Sequence, residues 1–411
     1  MAKPCRSSKT ESGPFEPGWC CDPEPIAAAP GPAAPAGGGC IPGHGGGHGG
    51  FHIWQQTWIN PGPLQLAVRT GYIWVDGMIL LSAFCLWLPY ARARAAQGSF
   101  PGCEGFWRRR ALRILPCYYA VVLFALLLAV RSEGWSAGLG KDLAAHLTLT
   151  HMLFYRSYLV TSLGSATWTV GVLVGFYLLF PLLARAFWRW PLGCFAALYA
   201  GQLAYSWGFA LKLSGAAYQM AFNQLPAFLG VWAMGMAGAE LYEALCRYAA
   251  RLPFRAAALA VGLAALWCVF QMQKDLAYDP DGQRWQLVYR LPLALLQCVV
   301  LLGLCLGPQL PGRRLWQWLA AISYNFYLWH QSLAVWLKYR WHLPPWTGTT
   351  PPNQLGDADW QHTYNLLCWG AALLVSALMT RCIEQPAAAW LKRRLFAQKA
   401  QELAETASKQ P

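Results

Sequence analysis

Apolar runs close to the 17–25 residues that cross a bilayer as a helix recur along this chain from about residue 71 onward. They fall at roughly 71–90, 114–131, 168–187, 192–211, 224–245, 254–272, 288–307, 316–337 and 363–383. The pattern predicts an all-α, polytopic transmembrane bundle with nine full spans and few soluble elements. The segment 143–160 is shorter and carries two His. It reads as a re-entrant or loop-lining piece, because irregular backbone at membrane depth needs cover from protein or water. Residues 1–50 break the pattern. They are rich in Gly, Pro and Ala without periodicity, which predicts a disordered tail. The predicted organisation is therefore a tail over 1–50, a membrane domain over 51–394 and a polar tail over 395–411.

Composition agrees with the pattern. The 411 residues are 56% hydrophobic and only 12% charged, against about a quarter charged in soluble domains. The chain holds 23 Trp and 18 Tyr, side chains that suit membrane–water interfaces. The net charge of +14 would suggest nucleic acid in a soluble protein. Here the cations lie between apolar runs, so membrane topology and anionic lipid account for them, and no nucleic-acid partner is expected. Many of the 14 Cys sit inside apolar stretches, where Cys acts as a small hydrophobe. One set of loops holds Arg92, Arg94, Arg108, Arg109, Arg110 and Arg113, then Arg185 and Arg189, then Arg247, Arg251 and Arg255, then Arg313 and Arg314, then Lys392, Arg393 and Arg394. The positive-inside rule puts this set, and the C-terminus, in the cytoplasm. Nine spans alternate under that assignment without conflict.

The sharpest chemical signal is residues 106–119, Phe-Trp-Arg-Arg-Arg-Ala-Leu-Arg-Ile-Leu-Pro-Cys-Tyr-Tyr. Arg110 and Arg113 lie three apart, on one helix face. Two fixed guanidinium groups suit phosphate or pyrophosphate; a cluster that only sets topology is the plainer reading. The segment resembles the first cytoplasmic loop of the acyltransferase-3 family of membrane O-acyltransferases. Four further stretches agree in order: Trp-Val-Asp-Gly-Met-Ile-Leu-Leu-Ser-Ala-Phe at 74–84, Trp-Thr-Val-Gly-Val-Leu-Val-Gly-Phe-Tyr-Leu-Leu-Phe-Pro at 168–181, Ile-Ser-Tyr-Asn-Phe-Tyr-Leu-Trp-His at 322–330, and Ile-Glu-Gln-Pro at 383–386. Each is weak alone, and five in order are strong.

The resemblance implies transfer of an acyl group, commonly acetyl, from cytoplasmic acyl-CoA (acetyl-CoA) to a hydroxyl of a carbohydrate or lipid-linked saccharide. It implies that Arg110 and Arg113 contact the coenzyme A phosphates and that His52 is the base that takes the hydroxyl proton, a role suited to an imidazole. Two positions depart from the family. Eleven residues before His52 stands Ile41 where the family has Arg, and the family's membrane Glu falls at Leu173. The apolar half-span expected before His52 is Gly-rich, which a membrane helix does not tolerate. A truncated first span, lost or read in another frame, is the expectation.

Ionisable residues inside a membrane are functional candidates by default, because burying them is costly. Asp76, His330 and Glu384 qualify. Asp76 is expected to meet an Arg or His of another helix and to share the catalytic centre with His52. His151, with His146 nearby, and Trp168, Tyr324 and His330 are the candidate acceptor-side residues. His330 is equally readable as a histidine satisfied by neighbouring Tyr. Glu384 stands near Arg381, so a structural ion pair is expected there. Cys40, His44, His48 and His52 are spaced by four, but the Gly between them does not hold a helix, so no metal site is expected.

Overall fold

The computed structural model describes residues 53, 56, 64–309, 311–390 and 393–394. The tails over 1–50 and 395–411, and with them Ile41 and His52, lie outside the described residues. Eleven helices of eight or more residues occur among the described residues: α1 Trp74–Ala95, α2 Phe106–Glu133, α3 Ala137–Leu147, α4 Trp168–Arg189, α5 Pro191–Gly208, α6 Gly215–Phe222, α7 Leu229–Cys246, α8 Leu252–Tyr278, α9 Gly282–Leu306, α10 Arg313–Tyr339 and α11 Ala358–Met379. All nine apolar runs fall on long helices. Among the described residues six helices are long and apolar enough to cross a membrane: α1, α2, α4, α8, α9 and α11. The other three, α5, α7 and α10, do not meet that measure, and α10 carries Ser, Asn, His, Gln and Lys along its length.

Local chemistry sets the helix limits. Ser136, Asp281 and Asp357 cap α3, α9 and α11 by accepting from the backbone N–H of Leu139, Arg284 and Trp360, satisfying one of the unpaired donors at each helix start. Pro191 opens α5 one residue after Trp190, where its missing N–H costs nothing, so α4 and α5 are joined by a tight reversal.

The basic loops gather at one end of the bundle. Arg94 bonds Glu240 at 2.8 Å and donates to the carbonyls of Phe187 and Trp188. Arg92 bonds Glu243 at 2.9 Å, and Arg255 donates to the Gly307 carbonyl at 3.2 Å. These contacts tie α1, α4 and α7 to one another, and α8 to the end of α9. The expected re-entrant piece is α3, a turn over His151–Leu153 and a short helix over Tyr155–Leu159. It folds back against the middle of α2, where the hydroxyls of Tyr118 and Tyr119 donate to the carbonyls of His146 and Leu147.

Small residues let the buried helices approach closely, as apolar lipid gives no hydrophobic drive for helix association. A Cβ on Gly235 of α7 would overlap the Leu80 carbonyl oxygen of α1, and one on Gly262 of α8 would stand 2.9 Å from the Gly303 Cα of α9. Overpacking costs about 1–3 kcal/mol, so Gly235→Leu should lower the thermal midpoint of the detergent-solubilised protein. An unchanged midpoint would mean that α1 and α7 are not packed on this contact.

Candidate functional site

The first turns of α2 are clamped before its arginines enter the bundle. Gly105 adopts φ 63° just ahead of the helix, a left-handed turn that glycine adopts freely. Phe106 then stacks on Phe180 of α4 at 4.8 Å, and the Trp107 indole donates to the Tyr177 carbonyl at 2.9 Å. With that turn fixed, Arg110 projects over the Phe106 ring at 5.7 Å. Its Nε is buried and makes no hydrogen bond, and Tyr177, Arg113 and Cys85 are its electrostatic neighbours. The Tyr177 hydroxyl in turn shares a 2.9 Å hydrogen bond with Ser82 of α1.

One turn deeper, Arg113 faces α10 and the end of α11. The Tyr324 hydroxyl donates to the Ile114 carbonyl at 2.9 Å and ties α10 to α2. Next to it, Asn325 donates from Nδ2 to Thr380 Oγ1 and to Glu384 Oε2, both at 2.9 Å. Glu384 is 7% exposed, and its electrostatic partner is Arg113. The expected pair with Arg381 is corrected here: Arg381 is exposed, while Glu384 turns inward to α2 and α10. Residues from the motif stretches thus surround the two arginines: Tyr177 is an electrostatic neighbour of Arg110 and bonds Ser82, Tyr324 bonds the backbone beside Arg113, and Asn325 holds Glu384.

A second polar centre lies between α1 and α9. Asp76 is 1% exposed and Arg290 is fully buried. Arg290 Nε donates to Asp76 Oδ2 at 3.2 Å, and Gln286 donates to the same oxygen at 3.1 Å. Its Nη1 donates to the Phe222 and Ala227 carbonyls and its Nη2 to Asn223 Oδ1. The cation lies between the rings of Phe222 and Phe228, at 4.9 and 4.2 Å. Trp168 stacks on Phe228 at 6.2 Å and packs near Val75 and Tyr327. Asp76 therefore has the partner expected of it, an arginine from another helix, and that arginine makes four hydrogen bonds. His330 donates from Nδ1 to the Phe326 and Tyr327 carbonyls of its own helix, and Tyr327 accepts from Thr169 at 2.5 Å. The bonds on His330 Nδ1 thus go to backbone carbonyls, where the plainer reading expected tyrosine hydroxyls.

The third cluster sits on the re-entrant piece. His146 Nδ1 lies 3.1 Å from Asp142 Oδ1, and Thr161 donates to Asp142 Oδ2 at 2.7 Å. The His151 ring stacks on His146 at 4.3 Å, nearly parallel. His151 Nδ1 meets the Tyr118 hydroxyl at 3.4 Å. Burial, and then the neighbouring His146, push the His151 imidazole down to about 4. Burial raises the Asp142 carboxyl, but hydrogen bonds from His146 and Thr161 outweigh it and hold the group below its ordinary value.

Acid should therefore destabilise the fold through His151. The unfolded chain protonates this histidine near pH 6.5 and the folded chain only near 4, so between those values the unfolded state binds the extra proton and gains. The loss amounts to about 3 kcal/mol by pH 4, at about 1.4 kcal/mol per unit. Asp142 adds a further loss below the carboxylate range. Thermal midpoints from pH 7.5 to pH 5 should fall, and His151→Asn should flatten the slope; equal slopes in both proteins would remove His151 as the cause.

Several of these partners were not among the expected site residues. Arg290 lies inside the apolar run 288–307, where its charge alone marks it. Asp142 stands four residues before His146, a helical pairing distance. Asn325 sits inside a quoted motif. His52 itself is outside the described residues. Its neighbour Ile53 is buried against Ala334, Leu337, Trp360, Tyr364 and Cys368, and the Gln56 carbonyl accepts from Lys338 at 2.9 Å. The chain next to His52 is thus seated on the halves of α10 and α11 remote from the arginines. Leu173, in the place of the family Glu, packs against the apolar core.

A family model described as an acyltransferase domain, that of acyltransferase-3, matches residues 40–351, and the chain belongs to this family. With six helices apolar and long enough to cross a bilayer, it is a multi-pass membrane protein. No curated protein and no solved structure matches the chain.

Proposed function

We propose that this protein is a membrane O-acyltransferase that moves an acyl group, acetyl first among candidates, from acyl-CoA to a hydroxyl of a cell-surface carbohydrate or lipid-linked saccharide. The single observation that carries the donor assignment is the arginine pair. Arg110 and Arg113 are anchored on one helix face at the basic end, and Arg110 retains a buried Nε donor with no partner. Such a fixed donor set suits the pyrophosphate of coenzyme A. The positive-inside rule makes this end cytoplasmic, with the C-terminus, and all nine long helices are read as spans.

In the proposed reaction His52 takes the proton of the acceptor hydroxyl as its oxygen attacks the thioester carbonyl. The carbon–sulfur bond breaks, and the thiolate of coenzyme A leaves and takes up that proton. In this reading Asp76 belongs with His52, and His151, Trp168 and His330 serve the acceptor side. Tyr118, at the level of the His151 cluster, lies about 12 Å along α2 from Arg110 at 1.5 Å per residue. The arm between pyrophosphate and sulfur in coenzyme A is longer than that step.

The decisive assay is transfer of labelled acetyl from acetyl-CoA by the purified protein, with His52→Ala and Arg113→Ala as controls. Turnover that both substitutions remove supports the assignment. A second reading is favoured by Leu173 and Ile41, which stand where the family has Glu and Arg: a family member without catalysis, or a polysaccharide or lipid exporter of the same fold. Absence of both transfer and hydrolysis by the unsubstituted protein would select it.

A further inference from the structure

We infer that Lys338 is the centre of an anion-binding site at the end of the bundle remote from the arginines, where the last turn of α10 meets the first turn of α11 and the loop 340–357 between them. The site takes a carboxylate or a phosphate. Lys338 is 1% exposed. Its ammonium donates to the Gln56 carbonyl at 2.9 Å and lies over the rings of Tyr339 and Trp360, at 5.1 and 5.9 Å. None of the ion pairs among the described residues includes it, whereas Arg290, equally enclosed, has Asp76. One carbonyl and two ring faces return less than an ammonium loses on leaving water. An ammonium also has three donors, and the one bond to Gln56 uses one of them.

The loop adds further donors. The Leu343 N–H donates to the Leu337 carbonyl at 2.9 Å, which folds the loop back over the end of α10. The Trp360 indole donates to the Pro344 carbonyl at 3.1 Å and holds it there. Trp346, two residues on, packs against the cluster that contains Leu337, Trp360 and Tyr364, and its buried Nε1 makes no hydrogen bond. On the other side Gln361, next to Trp360, donates to the Asn353 carbonyl at 3.2 Å. The Asn353 side chain is 4% exposed, and neither its Oδ1 nor its Nδ2 makes a hydrogen bond. Buried polar groups are nearly always paired, so two unpaired ones beside a buried ammonium mark a place built for a ligand. Ammonium, indole N–H and amide N–H together match a group that only accepts, as carboxylate and phosphate do. The site is separate from the arginines. Lys338 stands roughly 21 Å along α10 from Tyr324 at 1.5 Å per residue, and Tyr324 bonds the backbone beside Arg113. Gln56 lies in the chain next to His52, so under the acyltransferase reading the anion belongs to the acceptor; the site itself does not depend on that reading.

The test is anion binding to the full-length protein in detergent, read by tryptophan fluorescence. Glucuronate and glucose 6-phosphate are the soluble probes, with glucose as the neutral control. The same protein reconstituted in phosphatidylglycerol or phosphatidylcholine vesicles, read by thermal midpoint, tests an anion carried on lipid. A soluble anionic probe should bind where glucose does not. Lys338→Met should weaken it about ten-fold or more, the size of one charge-assisted bond, and Asn353→Ala about three-fold. Lys338→Arg should stay within about three-fold, and Arg113→Ala should leave the affinity unchanged. Stabilisation by phosphatidylglycerol alone, lost in Lys338→Met, supports the site and assigns its anion to a lipid headgroup. Where Lys338→Met does not fold, Asn353→Ala and Trp346→Phe, which removes only the indole donor, carry the test. Equal binding of glucose, affinities that none of the Lys338, Asn353 and Trp346 variants change, or no response to any anionic probe overturns the proposal and leaves Lys338 as an amine that only anchors the chain at Gln56. None of these outcomes touches the assignment of coenzyme A to the arginines.

Discussion

Replacing Asp76 with Ala should destabilise the protein by about 3–5 kcal/mol, the cost of stranding one member of a buried ion pair. Arg290 would keep its carbonyl and ring contacts but lose its only carboxylate partner among the described residues. The stranded cation cannot reach water, because it is fully buried between two phenyl rings. The loss should spread. Arg290 holds the carbonyls of Phe222 and Ala227 and the amide of Asn223, so the link from α6 into α7 depends on it. Asp76→Asn keeps a hydrogen-bond acceptor and should lose less. The pair of Asp76→Ala with Arg290→Met should recover part of the loss, since removing both charges leaves no orphan. Yield of monodisperse protein and thermal midpoint in detergent report the result. A double variant no better than Asp76→Ala alone would show that the acid acts outside this pair.

The largest effect on activity should come from Arg110→Ala combined with Arg113→Ala. Each guanidinium contact to a phosphate is a charge-assisted bond worth about 1.5–3 kcal/mol, so the double variant should lose about a hundred-fold or more in kcat/KM for acetyl-CoA. In Arg110→Ala alone the thermal midpoint should fall far less than in Asp76→Ala, because Arg110 makes no ion pair among the described residues. Lys in both positions should restore charge but not the forked geometry, and should recover the activity only in part. Full activity in the double Ala variant would return the cluster to the plainer role of setting topology.

The periodicity of the sequence located all nine long helices, because apolar runs of span length have few alternative uses, and it set apart the shorter segment at 143–160. It did not fix which of them cross the bilayer. α10 shows why: Asn325, His330, Ser332 and Lys338 on it are buried inside the bundle. A helix whose polar side chains are enclosed by protein loses its apolar signature without leaving the interior. At the site, residue type and spacing singled out Arg110, Arg113, Asp76 and Glu384. Their partners were not legible, since pairing across 214 residues, as between Asp76 and Arg290, leaves no local trace. Glu384 illustrates the limit from the other side. The neighbour in sequence, Arg381, was the expected partner, and the π-helical turn over Thr380–Glu384 sends the carboxylate the other way.

The Asp76–Arg290 pair also imposes a schedule on biogenesis. α1 enters the membrane with an acid whose partner is still to be translated, 214 residues later. At about 5–20 residues per second, the ribosome needs roughly 10 to 40 seconds to deliver it. For that interval Asp76 must stay protonated, remain at a wet boundary or be sheltered by the insertion machinery. The completed bundle then depends on α1 being captured late by α9, so a slow or paused ribosome anywhere between them lengthens the exposure of its least lipid-compatible side chain.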